Sequence, residues 1–347
     1  RPWKSRLGII YVKNINFLID IKLIIFTLVA LVNKGIAIEL VLYELKKLNA
    51  NVYGISKDIP TNPNLFVLAN LKDEIIHNKL DIRNFTLLLD CINKIKPDFI
   101  FHMAAQSLVS KSFIDPIDTF STNIIGTGNI LECIKKINHP CVGIIITSDK
   151  CYDNLELDRG YHEEDILGGK DPYSASKGSA ELVFKSYYNS FFIQQDKIRI
   201  STVRAGNVIG GGDWAKNRII PDCIRAWENN KSVVIRNPNS TRPWQHVLEP
   251  LSGYLHLGHE LFKKNKLNGQ SFNFGPLPDN NHTVIELIKE MINNYKKISI
   301  KGYEVLNNND FEEAKLLKLN CNKVFKKINW VANLNFQETI FFTASLF

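Results

Sequence analysis

Short apolar runs alternate with segments of helical period through the first two hundred residues of this chain, and that rhythm narrows the choice of fold more than any other feature. A strand, a helix long enough to cross back over a sheet, and another strand make the repeating unit of a parallel sheet covered on both faces. Ile38, Val41, Leu42, Leu45 and Leu48 recur at spacings of three and four, which predicts a helix over 36–49. A strand follows over 51–55 and a further helix over 85–95. Pro97 and Asp98 lead into a buried strand over 99–103. A long helix is expected over 116–137, a β-branched strand over 142–147, a helix over 174–192 and a strand over 198–208. The fold class expected is α/β, a Rossmann-like doubly wound parallel sheet.

The rhythm changes after Gly210, where glycines, prolines and short runs such as 233–236 replace the long alternation. A smaller C-terminal lobe is therefore expected. Residues 1–192 form the sheet domain in this reading, and 193–347 form mainly the second lobe, with some strands returning to the sheet. Cofactor and substrate would meet in the crevice between them. Residues 17–32 are apolar except for Asp20, Lys22 and Thr27, and the stretch 23–32 is about half the ~20 residues that a membrane helix needs. A buried strand is the preferred reading, with a signal-peptide core as its rival. The six cysteines form no C-x-x-C pair and are read as reduced, in the cytoplasm. The net charge of +8 is scattered, with no basic block or interleaved aromatic stripe, so a phosphorylated small molecule is expected as partner rather than nucleic acid or a membrane. No metal-ligand spacing is present.

The chemical signal lies in Tyr173-Ser-Ala-Ser-Lys177 at the start of a predicted helix, with Ser148 at the end of the preceding strand. Tyr173 and Lys177, four apart, share one helix face. A tyrosine titrates near pH ~10 and is a poor base at neutrality. A neighbouring ammonium and the positive ring of an oxidised nicotinamide would both favour the phenolate. Tyr173 could then take a hydroxyl proton as hydride leaves the same carbon, with Ser148 holding the hydroxyl. Y-x-x-x-K is weak by itself; here it keeps company with His102-Met-Ala-Ala105-Gln106, where small residues after a strand let a cofactor approach the backbone.

F-H-M-A-A-Q-S (101–107), T-N-I-I-G-T (122–127), T-S-D-K-C-Y (147–152) and Y-S-A-S-K (173–177) together resemble an extended short-chain dehydrogenase/reductase. R-A-G-N-V-I-G-G-G-D-W (204–214), R-I-I-P-D (218–222), T-R-P-W-Q-H-V-L-E-P-L-S-G-Y-L (241–255) and T-N-P-N-L-F (61–66) are similar to the CDP-glucose 4,6-dehydratases within it. The resemblance spans roughly residues 50–345.

It implies oxidation of the glucose C4 hydroxyl by Tyr173, Lys177 and Ser148 with NAD, loss of water across C5 and C6, and return of hydride to C6. Asp149 and Lys150 read alone as a surface ion pair; the resemblance makes Asp149 the acid and Lys150 the base of the elimination. Another nucleotide-sugar dehydratase or epimerase is the neighbouring reading, although an epimerase has no elimination for that pair to perform. The resemblance further places NAD against Gly35, Ser56, Asp81, Ile82, Ala104, Ala105, Gln106, Asn123, Tyr173 and Lys177, with Lys57 an alternative to Ser56 near the ribose. CDP-glucose would lie against Ser107, Asn207, Arg218, Arg236, Arg242 and His246, with Trp244 shaping that end; arginine grips phosphate through paired hydrogen bonds. A homodimer is the expected assembly.

One segment departs from the pattern. A dinucleotide turn carries three glycines between the first strand and helix, whereas Thr27-Leu-Val-Ala-Leu-Val-Asn-Lys-Gly35 keeps only Gly35. Leu28 and Leu31 at glycine positions would obstruct the pyrophosphate. Two explanations stand: a disturbed reading frame over 5–34, with the match resuming at Lys34, or a relative that binds sugar nucleotides without NAD. Resequencing the gene separates them.

Overall fold

The apolar runs form the strands of one parallel sheet. The computed structural model describes residues 22–26 and 50–347 apart from 60, 69, 236, 277–279, 296–301, 307–315 and 346. In chain order the strands are β1 (Lys22–Phe26), β2 (Asn51–Ser56), β3 (Ile76–Lys79), β4 (Phe99–His102), β5 (Cys141–Ile146) and β6 (Ile198–Ala205). The short β7 (Val208–Ile209), β8 (Val233–Ile235), β9 (Thr241–Arg242) and β10 (Gln245–His246) follow. The last are β11 (Ser271–Phe274), β12 (His282–Thr283) and β13 (Tyr303–Val305). Seven of them make the main sheet, in the order β11-β6-β5-β4-β1-β2-β3, every neighbouring pair parallel. The strand expected within 17–32 is β1, in the middle of the sheet, where Leu23 pairs with Val52 on one side and Phe99 on the other. The rest of that stretch, and the helix expected over 36–49, lie outside the described residues.

Side chains alternate between the two faces, as the pleat requires. Phe99, Phe101, Val142, Ile144 and Val203 enter one core, and Ile100, Cys141, Ile145, Ile198 and Ile200 the other. The second core is covered by α1 (Phe85–Ile95), by α2 (Pro116–Phe120) with α3 (Gly126–Lys135), and by α4 (Pro172–Tyr187). α1 begins where the Asn84 side chain accepts the Leu87 N–H and ends at Lys96, left-handed at φ 51°, ahead of Pro97. The long helix expected over 116–137 is interrupted. A π-helical turn, Ser121–Ile125, joins α2 to α3 and carries Asn123 into the interior. α4 passes into a similar turn, Tyr188–Phe192.

The strand expected over 198–208 breaks at Gly206 and Asn207, the latter left-handed at φ 52°. Beyond it the chain divides. α5 (Ile219–Glu228), α7 (Val284–Asn294) and α9 (Phe336–Ala344) build a separate core around Trp227, Trp244 and Met291. α6 (Leu248–Lys263), β11 and α8 (Asn322–Ile328) return to the main sheet. Among the described residues, no helix is long and apolar enough to cross a membrane.

Candidate active site

β5 delivers the first group. Its last residue, Ile146, is followed by Thr147 and Ser148, and Ser148 caps the short turn Asp149–Cys151 by accepting the Lys150 N–H at 3.3 Å. The Ser148 hydroxyl donates to Asp149 Oδ1 at 2.9 Å, and Asn207 Nδ2 donates to Asp149 Oδ2 at 3.2 Å. Both carboxylate oxygens thus accept hydrogen bonds. Asp149 is buried, and the space it uses belongs to Gly206, where any Cβ would run into the carboxylate. That close approach explains why a glycine follows directly after β6. Lys150, next along the chain, is half-buried.

α4 delivers the second group. Asp171 accepts the Ser174 N–H at 3.0 Å and Pro172 occupies the first turn, so the helix starts one residue before Tyr173. Tyr173 and Lys177 are buried, at 8% and 6% exposure. The Tyr173 phenol makes a hydrogen-bonding contact with Ser148. Burial pushes its pKa up to about 12, Asp149 adds to the rise, and the Ser148 contact and Arg218 oppose it without overcoming burial. Burial also brings Lys177 down to about 8.

Asn123, from the π turn, ties these parts together. Its side chain accepts the Gln106 N–H at 2.8 Å, donates to the Gln106 carbonyl at 3.0 Å and donates to Ser176 on α4 at 2.8 Å. His102, at the end of β4, shares a 3.0 Å hydrogen bond with Thr127, whose hydroxyl proton goes to the Asn123 carbonyl. The ring therefore donates from Nε2. Burial, with Lys177 beside it, holds His102 neutral at a pKa of about 3.

A dinucleotide fits the described part of the sheet. β1 and β4 are adjacent, and the chain turns in opposite directions on either side of them, which is where such a sheet opens a crevice. The segment after β4 offers Ala104 and Ala105, without bulky side chains to fill that crevice. Ser56 is buried at the end of β2 and hydrogen-bonds His77 at 2.7 Å. Asp81 is gripped by Arg83 through both oxygens, at 3.0 Å and 2.6 Å, which holds its carboxyl below the usual range. Ile82 packs against Gly126, where a Cβ would strike it. Gly35 lies outside the described residues.

Two of the residues assigned to substrate meet across the two parts of the chain, Arg218 donating to Ser107 at 3.0 Å. Asp213 holds the same guanidinium at 3.5 Å. Asn207 reaches Asp149, as described above. Arg242 is buried in the β9–β12 ribbon and donates to the Thr241 carbonyl at 2.8 Å. His246 is 1% exposed and lies beside Phe342. Arg236 lies outside the described residues. Sequence reasoning missed Glu181 and Arg204, a buried ion pair beneath this site at 2.8 Å. The signal was Glu181 standing four residues after Lys177, on the same helix face.

The family model described as GDP-mannose 4,6 dehydratase matches residues 40–341. A CDP-glucose 4,6-dehydratase of Salmonella typhimurium is 44% identical over 300 residues, covering 85% of this chain and 83% of that one. The fold is similar to that of a Bacillus anthracis dTDP-glucose 4,6-dehydratase solved in complex with NAD, with a TM-score of 0.75 and 20% identity over 94% of this chain and 96% of that one. A Bacillus cereus UDP-glucuronic acid 4-epimerase, solved with UDP-glucuronic acid and NAD, gives a TM-score of 0.78 at 20% identity over 94% of this chain and 98% of that one.

Proposed function

The chain belongs to the GDP-mannose 4,6 dehydratase family of the extended short-chain dehydrogenase/reductases, and on that premise we propose that it converts CDP-glucose to CDP-4-keto-6-deoxyglucose with NAD as its resident cofactor. The observation that carries this reading is the meeting of Tyr173, Ser148 and Asp149 at the end of β5, with Lys177 buried one helical turn away. The choice of CDP-glucose rests on the 44% identical relative of that name.

Tyr173, as phenolate, takes the proton of the C4 hydroxyl, and Ser148 orients that hydroxyl. When bound, NAD supplies a nicotinamide ring that carries the C4 hydride until it reaches C6, and a positive charge that favours the phenolate. The ketone at C4 acidifies C5, where Lys150 removes a proton. Asp149 protonates the departing C6 hydroxyl, and water leaves. Lys150 finally returns its proton to C5. The balance requires the proton lost at C4 to replace the one Asp149 gives up at C6. Ser148, touching Tyr173 on one side and donating to Asp149 on the other, provides the path.

Ser107, Asn207, Arg218, Arg236 and Arg242 are assigned to the substrate, Arg218 as the principal phosphate donor because its head faces both Ser107 and Tyr173. His246 supports them from behind. The cofactor is assigned to Gly35, Ser56, Asp81, Ile82, Ala104, Ala105, Gln106, Asn123, Tyr173 and Lys177. All six cysteines are free, which supports a reducing cytoplasmic setting. An apolar groove along Phe85, Ile124, Ile125, Val183 and Tyr187 supports a homodimer closed through α1, α3 and α4.

The test is incubation with CDP-glucose, with and without added NAD, and detection by mass spectrometry of a product lighter by one water. UDP-, dTDP- and GDP-linked glucose serve as comparators. Bound CDP-glucose left unconverted in the presence of NAD would reject the enzymatic reading in favour of a binding protein.

A further inference from the structure

The redox roles of Tyr173 and Lys177 leave a buried charge pair one helical turn further on without a task. Glu181 stands on the face of α4 that carries Tyr173 and Lys177, at 2% exposure. Its Oε1 accepts from Thr147 at 2.5 Å and from Arg204 Nε at 3.0 Å. Its Oε2 accepts from Arg204 Nη2 at 2.8 Å, from Thr202 at 2.9 Å and from Ser271 at 3.3 Å. Arg204 spends its remaining nitrogen on the Tyr152 hydroxyl at 2.8 Å and the Glu163 carbonyl at 3.0 Å. One carboxylate thus fastens α4 to β5, β6 and β11 together. Thr147, one of its partners, immediately precedes Ser148. Such a buried pair adds little net stability over apolar residues of the same volume, so its contribution is sought in what it holds in place.

The charges around Lys177 point the same way. His102 faces it from β4 and is neutral, Cys151 faces it from the turn after β5, and Glu181 follows it on α4. Burial keeps the Cys151 thiol protonated. Burial opposes the ionisation of Glu181, but Arg204 and the two threonines hold its carboxyl below the usual range. Among these neighbours, Glu181 is the anion at neutral pH.

We propose that Glu181, clamped by Arg204 and Thr147, is a positioning residue that holds Tyr173 and Lys177 in register with Ser148 and keeps Lys177 an ammonium. The proposal rests on the redox reading of Tyr173 and Lys177. The experiment compares the wild type with Tyr173→Phe, Glu181→Gln, Glu181→Asp and the double variant Glu181→Gln/Arg204→Gln, which removes both charges of the pair together and so does not strand the Arg204 guanidinium. Folding is followed by thermal melts, and kcat and KM for CDP-glucose are measured across pH. In the neutral variants that fold, kcat is expected to fall about tenfold with KM changed by less than about threefold, and the alkaline limb of the kcat profile to move down by about one pH unit. Glu181→Asp, which keeps the charge, is expected to restore the limb. A folded neutral variant whose limb stays in place overturns the proposal. So does failure of both neutral variants to fold, which would make the pair structural. Wild-type activity in Tyr173→Phe overturns the redox reading and this proposal together, whereas an inactive Tyr173→Phe beside unaffected Glu181 variants overturns this proposal alone.

Discussion

Tyr173 and Lys177 are buried against their own chemistry: burial favours the neutral phenol and the neutral amine, whereas the proposed reaction uses the phenolate and the ammonium. The spacing of four puts both on one helix, but a sequence gives no measure of desolvation, and desolvation outweighs the neighbouring charges around Tyr173. Removing the phenol oxygen in Tyr173→Phe is expected to lower kcat by about 10²–10⁴-fold while CDP-glucose still binds, as separate turnover and calorimetric titrations would establish. Lys177 makes a second prediction. The unfolded chain keeps this proton to about pH 10.5 and the folded chain releases it near pH 8, so between those values the unfolded state binds more protons and stability rises with pH. Below pH 8 the full penalty applies. Lys177→Met is therefore expected to gain roughly 1–3 kcal/mol at pH 7, a gain that shrinks towards pH 10.5 in denaturant titrations. No gain at pH 7 would mean that water or a hidden partner solvates the amine.

At the level of elements, helices and strands were legible where one periodicity runs unbroken, as α1 shows by matching its expected bounds 85–95. They were not legible where a tertiary contact resets the backbone. The π turn at Ser121–Ile125 sits where Asn123 must turn inward to satisfy both backbone groups of Gln106, which no local pattern announces. The end of β6 is set in the same way by Asp149, a residue distant in sequence. α6 presents a further case. Glu249 in its first turn is buried and accepts the N–H groups of Asn333 at 2.9 Å and Leu334 at 2.7 Å, fastening the approach to α9. Burial raises its carboxyl to about 7, above the ordinary 4.5, so the folded chain binds the extra proton between these values and stability falls as pH rises through them. Glu249→Gln, which keeps the accepting oxygen without the charge, is expected to melt a few degrees above the wild type at pH 8 and at the same temperature at pH 4.5. A lower melting temperature at pH 8 would show that the carboxylate charge itself holds the segment.

For the whole molecule, the outer surface of the π turn before α3 and of α4 exposes Ile125 at 58% and Leu182 at 56% beside the groove lined by Val183 and Tyr187. Placing a like charge on both copies of a self-complementary face separates them. Val183→Glu is accordingly expected to convert a dimer to a monomer in sedimentation experiments while leaving the melting temperature of the monomer within a few degrees. A dimer unaffected by the change would place the contact elsewhere. The sequence by itself determined the parallel sheet, the strand-to-helix positions of Ser148, Tyr173 and Lys177, and the family, because periodicity and short motifs are local properties of the chain. Tertiary structure alone decided that Asp149 shares space with Gly206, that Arg218 meets Ser107, that His246 is packed away, and that Glu181 finds Arg204. Those contacts join residues far apart in the chain, and their energies come from burial and geometry that exist only once the layers have packed.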